Sequence, residues 1–279
     1  MPVSPPHLVP YQGSKRRLAP QILSALAGRR YARLFEPFGG SAAMTLAAAQ
    51  AGIADRFVLG DGYAPLAALW QRALAEPAAL AADYAAIWHA QHEGPRAHYL
   101  AERERFWAEP EPARLLYLLA RAVKNAPRWS QDGRFNQSPD HRRRGVHPDK
   151  VRAAADAVAA LLAGRCEVRD GDFAAQLADA GADDLVYLDP PYVGTSTGRD
   201  RRYASGLAPE RLIETVAALR ARGAAVLISY DGETGGRSYA PPLPASLGLE
   251  RRLLDAGRSS QATLLGRDER TLEALYLGL

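Results

Sequence analysis

The chain has 279 residues, of which 47% are apolar and 24% are charged, and its formal net charge is +4. These values are typical of a globular protein with one large domain or two smaller ones. No apolar run approaches the roughly 20 residues that span a bilayer. The single cysteine, Cys166, excludes an intramolecular disulfide and a metal site of clustered cysteines. The first residues do not resemble a secretory signal, so we expect a cytoplasmic protein.

The first third of the chain alternates short apolar runs with alanine-rich runs. This pattern predicts strands at residues 33–36 and 56–61, followed by helices at residues 42–50 and 65–74. Strands that alternate with helices are typical of βαβ units and therefore of a parallel sheet. We expect an α/β fold in which ligands bind at the carboxyl ends of the strands.

Two segments of this first third suit a bound cofactor. Residues 37–41, Pro-Phe-Gly-Gly-Ser, join the first strand to its helix, where glycines allow the backbone to approach a ligand closely. Asp61 ends the next strand, where a carboxylate can accept hydrogen bonds from ribose hydroxyls. Together they predict a nucleoside-cofactor site, although the glycine spacing is not that of dinucleotide sites. The Gly-Ser-Lys turn at residues 13–15 lacks the full P-loop spacing, which argues against nucleotide hydrolysis.

Residues 76–165 lack strand patterns and are rich in helix-forming residues, so we predict a helical insertion. Within it, residues 125–149 have no clean periodicity and are expected to be irregular and mostly exposed. Residues 121–150 contain eight Lys or Arg and three Asp or Glu, so the net positive charge of the chain is concentrated there. Such a patch suits a polyanion such as DNA, although a charge run alone is often only a solvated face.

The strand pattern returns after the insertion. It predicts strands at residues 166–168, 185–189 and 225–230, a helix at residues 209–222, and a closing hairpin. We expect the hairpin to join residues 261–265 to residues 271–277. The layout is one α/β domain interrupted by the basic insertion.

The strongest chemical signal is the segment Asp-Pro-Pro-Tyr, residues 189–192, which follows an apolar strand. Proline cannot continue a strand ladder, so Asp189 is expected at the carboxyl end of that strand. The amino group of an aromatic base is a poor nucleophile, because its lone pair is delocalised into the ring. The Asp189 carboxylate and the Pro190 carbonyl would accept its N–H bonds and favour a pyramidal nitrogen, and Tyr192 would stack on the base.

In their order along the chain, these motifs resemble the Dam-like class of N6-adenine-specific DNA methyltransferases. The resemblance implies the Rossmann-like fold of S-adenosylmethionine-dependent methyltransferases, with a mostly parallel sheet, an antiparallel C-terminal hairpin and a helical target-recognition insertion. Residues 1–75 and 166–279 would form the catalytic domain, and residues 76–165 the insertion. The matching segments are residues 11–15, 35–41, Asp61, 76–165, 171–173, 189–192 and 273–276.

The resemblance also implies the reaction and its residues. A methyl group would pass from S-adenosylmethionine to N6 of a flipped adenine, and no metal is expected. The implied catalytic residues are Asp189, Pro190, Pro191 and Tyr192. The implied cofactor residues are Tyr11, Lys15, Glu36, Pro37, Phe38, Gly39, Asp61, Asp172, Phe173 and Asp189. The expected DNA contacts are Lys124, Asn125, Arg134, Asn136, Arg142, Arg143, Arg144, Arg199, Arg202 and Tyr203.

The chain departs from the family pattern at three places. Ala42 stands where glycine is usual, Gly62 follows Asp61 where asparagine is common, and residues 137–144 replace a glycine-rich hairpin. The alternatives are the same fold acting on cytosine N4, on RNA or on a protein glutamine, and a catalytically idle DNA-binding relative. We expect a monomer that acts on double-stranded DNA and not at a membrane. Its target sequence, a cognate nuclease and a role in restriction-modification, phage defence or housekeeping stay open.

Overall fold

Strands and helices alternate along the chain, apart from a helical stretch in its middle and a run of strands near its end. The computed structural model describes residues 4–26, 28–130, 132–191, 207–234, 237–238, 241–258 and 270–279. The described strands are β1 (Tyr31–Glu36), β2 (Ala54–Asp61), β3 (Cys166–Asp170), β4 (Asp184–Leu188), β5 (Ala225–Thr234), β6 (Arg237–Ser238), β7 (Glu250–Arg258) and β8 (Arg270–Gly278). The described helices are α1 (Ala19–Ser24), α2 (Ala43–Ala51), α3 (Ala64–Ala75), α4 (Pro77–Ala90), α5 (Pro95–Ala108), α6 (Pro112–Arg121), α7 (Pro148–Leu162), α8 (Phe173–Gln176) and α9 (Pro209–Ala221).

The strands form one sheet in the order β3-β2-β1-β4-β5-β8-β7, with the short β6 beside β5. The strands β1 to β5 are parallel, whereas β8 runs antiparallel to both β5 and β7. The chain moves outward from β1 to β3 on one side and from β4 to β5 on the other, which is a doubly wound, Rossmann-like arrangement. The predicted α/β class, with a mostly parallel sheet and an antiparallel C-terminal part, is confirmed.

The central position of β4 explains its unbroken apolar sequence. This strand lies between β1 and β5, and all five of its residues are buried. A parallel strand with both faces covered has no solvent side, so polar residues do not alternate along it. The prolines Pro190 and Pro191 follow immediately and end the ladder, which places Asp189 at the carboxyl end of β4, as predicted.

The C-terminal hairpin has a different first strand from the one that the sequence predicts. The predicted residues 271–277 lie in β8, but the neighbours of β8 are β5 and β7. The other predicted strand, residues 261–265, lies outside the described residues. The strand β7 escapes prediction because it is an edge strand with a largely exposed surface, and its residues Arg251, Arg252 and Leu253 show no alternation between apolar and polar positions.

One apolar core joins the sheet to the helices of the predicted insertion. Leu34 of β1, Phe57 of β2, Tyr84 of α4, Leu116 of α6 and Val158 of α7 belong to the same buried cluster. The helix α7 packs against α2, α3 and α4. The predicted insertion therefore shares its apolar core with the strands of the sheet. The predicted domain boundaries at residues 76 and 165 stay a prediction. In the described part of the chain, no helix combines the length and the apolar character that a bilayer crossing needs.

The middle of the insertion is irregular, as predicted, but it is only partly exposed. Among its described residues, 126–147 form no helix or strand, and only isolated bridges such as Trp129 with Phe135 occur there. Trp129 and Phe135 are 4% and 0% exposed, and their ring centroids lie 5.5 Å apart. Because the segment forms no helix or strand, the apolar contacts of these two buried side chains hold it against the rest of the protein. The buried Arg121 guanidinium adds a hydrogen bond to the Asp140 carbonyl oxygen at 2.8 Å.

Candidate active site

A cavity of about 480 Å³ opens where β1, β2 and β4 end. This is the point where the strand order reverses, and ligands of open α/β sheets bind there. Of the described residues that were predicted for this site, Pro37 and Pro190 do not line the cavity, and Tyr192 lies outside the described residues. The predicted residues that line it are Tyr11, Lys15, Glu36, Phe38, Gly39, Asp61, Asp172, Phe173, Asp189 and Pro191.

The turn after β1 is held by the Glu36 carboxylate. Its oxygens accept hydrogen bonds from the backbone N–H groups of Met44 at 3.3 Å and Thr45 at 2.7 Å, in the first turn of α2. Burial raises the pKa of Glu36 to about 7, against the opposing effect of the bonds from Thr45. Gly39 approaches β2 so closely that a Cβ atom there would lie 2.6 Å from the Gly60 carbonyl oxygen. The turn is therefore pressed against the strand ends and cannot carry a side chain at this glycine.

The Asp61 carboxylate joins two loops at the cavity. One oxygen accepts a hydrogen bond from the Gly40 N–H at 3.1 Å, and the other accepts one from the Tyr63 N–H at 2.9 Å. Burial raises the pKa of Asp61 to about 6, while these two bonds act in the opposite direction. Trp70 adds a hydrogen bond from its indole N–H to the Gly40 carbonyl oxygen at 3.0 Å. These contacts hold the glycine turn and place a carboxylate on the cavity wall.

A second wall of the cavity is aromatic. The rings of Phe38 and Phe173 lie 5.2 Å apart; Phe38 comes from the turn after β1, and Phe173 is the first residue of α8, which follows β3. Asp172 begins the short helix α8 and accepts hydrogen bonds from the N–H groups of Ala174 and Ala175 at 3.1 and 3.2 Å. It also pairs with Arg211 of α9 at 2.6 Å, a cavity residue that sequence reasoning missed. The Asp172 carboxylate therefore caps α8 and pairs with α9, and the same residue lines the cavity.

Asp189 shares a buried ion cluster with two residues that are distant in the sequence. The Lys15 ammonium nitrogen lies 2.7 Å from Asp189 Oδ1 and 3.3 Å from Glu273 Oε1. Burial raises the pKa of Asp189 to about 6; Lys15 lowers it and Glu273 raises it. The predicted catalytic carboxylate therefore has an electrostatic environment built from the N-terminal region and the last strand.

Trp129 brings the predicted insertion into the cavity. It lines the cavity, and its ring centroid lies 4.3 Å from that of Tyr63, which follows Asp61 in the chain. The indole N–H of Trp129 is buried without a hydrogen-bond partner in the described structure. A second link joins the Gln12 N–H to the Asn125 carbonyl oxygen at 2.9 Å. No local pattern marks Trp129 as a cavity residue, because its partner in the cavity wall, Tyr63, lies more than 60 positions away in the chain.

The described residues predicted to contact DNA lie in the 3₁₀ turn at Val123–Asn125 and in the irregular segment that follows it, and none of them lines the cavity. Arg134 pairs with Asp132 at 3.2 Å and lies over the Trp107 ring, with 5.7 Å between guanidinium carbon and ring centroid. The Asn125 amide donates to the Leu119 carbonyl oxygen at 3.1 Å, so it caps the end of α6. Arg199, Arg202 and Tyr203 lie outside the described residues. The exposed members of the set are Lys124, Arg134, Asn136, Arg142, Arg143 and Arg144.

The described residues contain no group of three or more His, Cys, Asp or Glu side chains arranged to hold a metal ion.

Comparison with known proteins identifies the family. A search of curated proteins gives no match. The solved structure of yhhF from Escherichia coli, named as a candidate methyltransferase, is 16% identical, with a TM-score of 0.41, and the alignment covers 96% of this chain and 87% of that one. Residues 11–238 match the family described as D12 class N6 adenine-specific DNA methyltransferase. The match spans most of the chain and every described segment that lines the cavity, so the chain belongs to this family of adenine-specific DNA methyltransferases.

Proposed function

We propose that the chain transfers a methyl group from S-adenosylmethionine to N6 of an adenine flipped out of double-stranded DNA. The observation that carries this proposal is the position of Asp189. Its carboxylate, at the end of β4, lines the same cavity as Asp61 and the aromatic pair Phe38 and Phe173. A site for an amino group thus lies beside a site for a nucleoside cofactor.

The cavity suits S-adenosylmethionine in size and in charge. Its volume of about 480 Å³ lies within the usual range for small-molecule sites. The described lining contains four carboxylates, on Glu36, Asp61, Asp172 and Asp189, and only two basic side chains, on Lys15 and Arg211. An acidic cavity favours a ligand with a sulfonium and an ammonium group against one carboxylate.

Within this cavity, Asp61 would accept hydrogen bonds from the ribose hydroxyls, and Phe38 and Phe173 would hold the adenine ring of the cofactor. When bound, the cofactor supplies a methyl group on an already activated sulfonium. The protein then has to orient the two reactants and to stabilise charge, which orientation and fixed hydrogen bonds can achieve. No covalent bond to a side chain is needed.

Asp189 acts on the target nitrogen. Its carboxylate accepts a hydrogen bond from the adenine amino group, and the Pro190 carbonyl accepts the second one. With S-adenosylmethionine bound, the nitrogen lone pair would form the new bond to the methyl carbon, and the electron pair of the broken sulfur–carbon bond would return to sulfur. The nitrogen would then carry a positive charge, which the negative charge of Asp189 stabilises, until its proton passes to the Asp189 carboxylate and from there to water.

The DNA part of the proposal rests on the position of the cavity and on the exposed basic residues. A base stacked inside a duplex cannot reach a carboxylate in a recessed cavity, so the adenine has to be flipped. The exposed arginines of the insertion, Arg134, Arg142, Arg143 and Arg144, are suited to phosphate contacts on the flanking duplex.

The variant Asp189→Asn tests this function, because it keeps the shape of the side chain and removes its charge. We expect methyl transfer to fall by about 100- to 1,000-fold, the usual effect of losing one electrostatic group in an active site. Binding of S-adenosylhomocysteine, measured by calorimetry, should change little. The matched control is Asp183→Asn, an exposed aspartate just before β4, which should transfer methyl groups at the wild-type rate.

The product identifies the substrate. Unmethylated genomic DNA is incubated with the protein and S-adenosylmethionine, then digested to nucleosides and analysed by mass spectrometry. We expect N6-methyladenine from the wild type and from Asp183→Asn. N4-methylcytosine, or no methylated nucleoside, would refute the proposal.

A further inference from the structure

Glu273 reaches the catalytic carboxylate through Lys15. The Lys15 ammonium nitrogen lies 2.7 Å from Asp189 Oδ1 and 3.3 Å from Glu273 Oε1. The side chains of Lys15, Asp189 and Glu273 are 8%, 23% and 10% exposed. They come from a 3₁₀ turn at Lys15–Arg17, from the end of β4 and from β8. Three separate elements therefore bring one cation between two carboxylates.

We propose that Glu273 is a positioning residue for methyl transfer, which neutralises Lys15 so that Asp189 keeps its negative charge available to the target amino group. This inference rests on the proposed function. It gives a role to the last strand, which otherwise only completes the sheet.

The charge balance of the cluster supports the proposal. Lys15 and Asp189 alone form a pair with no net charge, and such a pair would stabilise a positive nitrogen poorly. With Glu273 the cluster carries a net charge of −1. At 8–23% exposure this difference matters, because charges interact more strongly away from water.

The hydrogen bonds of the cluster lead to the same conclusion. Lys15 donates to Asp189 at 2.7 Å, so the ammonium competes with an incoming amino group for the carboxylate. Glu273 lies 3.3 Å away and offers the ammonium a second acceptor. Lys15 can therefore shift toward Glu273 when the base arrives, and it leaves Asp189 to the substrate. Without Glu273, Lys15 would stay on Asp189.

The pH dependence of the reaction follows from the groups that face Asp189. These are Lys15 from the 3₁₀ turn, Glu273 from β8, Glu36 from β1 and Tyr187 from β4. Because Glu273 raises the pKa of Asp189 and Lys15 lowers it, loss of the Glu273 charge lowers this pKa. The acid limb of the rate profile should then move to lower pH, while its plateau falls.

The first experiment compares Glu273→Gln with the wild type in single-turnover methyl transfer at saturating S-adenosylmethionine and DNA. We expect the rate to fall by at least about 10-fold, less than for direct loss of Asp189, since Glu273 acts through Lys15. The acid limb should shift to lower pH. Glu250→Gln, on the neighbouring exposed edge strand, is the matched control and should keep the wild-type rate and profile.

The double variant Lys15→Met/Glu273→Gln separates neutralisation of Lys15 from a purely structural role. If Glu273 acts by neutralising Lys15, removal of both charges leaves Asp189 as the only charged group of the cluster. Because loss of Lys15 raises the pKa of Asp189, the acid limb should move to higher pH, and most of the lost rate should return on the alkaline plateau, where Asp189 is ionised. A double variant that is as slow as Glu273→Gln, or slower, would overturn the inference. Should Glu273→Gln fail to fold, Glu273→Asp and Glu273→Asn differ only in charge, and the aspartate variant should be the faster one.

The outcomes distinguish this inference from the function on which it rests. If the wild type forms no N6-methyladenine, both fail. If the wild type forms it and Glu273→Gln keeps the wild-type rate and pH profile, only the role of Glu273 fails.

Discussion

Ala42 has a left-handed backbone, with φ of 52° and ψ of 35°, directly before α2. This conformation costs a residue with a side chain roughly 1–2 kcal/mol relative to the right-handed one. The residue is nevertheless fully buried, and its carbonyl accepts the hydrogen bond from the Leu46 N–H at 3.0 Å. The turn before it, held by Glu36 and Asp61, imposes this conformation. The glycine that is usual here in the family would adopt it without strain.

Two glycine substitutions in the same region measure that strain. Ala42→Gly and Ala48→Gly each remove one fully buried methyl group, but Ala48 lies inside α2 with a right-handed backbone. We expect Ala42→Gly to be more stable than Ala48→Gly by about 1–2 kcal/mol in chemical denaturation. Equal losses of unfolding free energy would show that Ala42 is not strained.

Tyr192 stays a prediction, since it lies outside the described residues. The other three predicted catalytic residues are within the described part of the chain. Asp189 lies in the cluster with Lys15, and Pro191 lines the cavity, whereas Pro190 is buried and does not line it. The proposed acceptor role of Pro190 concerns its carbonyl and not its ring.

The irregular segment of the predicted insertion connects the expected DNA side of the protein to the cavity at the strand ends. Trp129 contacts Tyr63 in the cavity wall and Phe135 in the segment that contains Arg134 and Asn136. The Trp107 indole N–H donates to the Phe135 carbonyl oxygen at 2.8 Å, which ties the segment to α5. A displacement of this segment on DNA would therefore move a residue of the cavity.

Replacement of Trp129 by alanine should weaken cofactor binding. Loss of an aromatic contact of about 0.5–1.5 kcal/mol corresponds to a dissociation constant for S-adenosylhomocysteine that is roughly 2- to 13-fold higher. The matched control is Trp88→Ala, a half-buried tryptophan of α4 that does not line the cavity in the described structure. Calorimetry should show unchanged affinity for that control. Equal affinity of Trp129→Ala and wild type would contradict the role of Trp129 in the cavity.

The buried carboxylates of the cavity should make a contribution to the stability of the whole protein that depends on pH. Burial raises the pKa of Glu36 from 4.5 to about 7, and those of Asp61 and Asp189 from 3.8 to about 6. Between these ordinary and raised values the folded chain holds more protons than the unfolded chain. The contribution of these groups to the free energy of unfolding therefore falls as pH rises from about 4 to about 7.

Glu36→Gln isolates this effect, because it removes one of the three carboxylates and keeps a hydrogen-bond acceptor for α2. We expect the stability of Glu36→Gln relative to the wild type to increase as pH rises from 4.5 to 7 in denaturant titrations without cofactor. Glu167→Gln is the control, since Arg169 lowers the pKa of Glu167 below its ordinary value of 4.5, and the stability of this variant relative to the wild type should stay nearly constant over the same range. A stability difference for Glu36→Gln that is independent of pH would contradict the raised pKa.

Local patterns were sufficient for the parallel strands of the sheet and for the carboxylates and the glycine turn of the site. The apolar run before Asp189 and the two prolines after it determine where β4 ends, and the glycine turn at residues 37–41 has to lie between a strand and a helix. Because parallel strands share one carboxyl edge, Glu36, Asp61 and Asp189 had to meet at the same edge of the sheet. These predictions use only neighbouring residues and chain direction, so they did not need coordinates.

The contacts between distant segments could be learned only from the tertiary structure. Lys15, Asp189 and Glu273 span nearly the whole chain, and Trp129 meets Tyr63 through an irregular segment without periodicity. The edge strand β7 has no alternation that distinguishes it from a loop, and the pairing of β8 decides its place. Side-chain packing between distant segments sets these positions, and it brings Lys15 and Glu273 to Asp189. Residue order identified the carboxylate, whereas the fold determined which groups surround it.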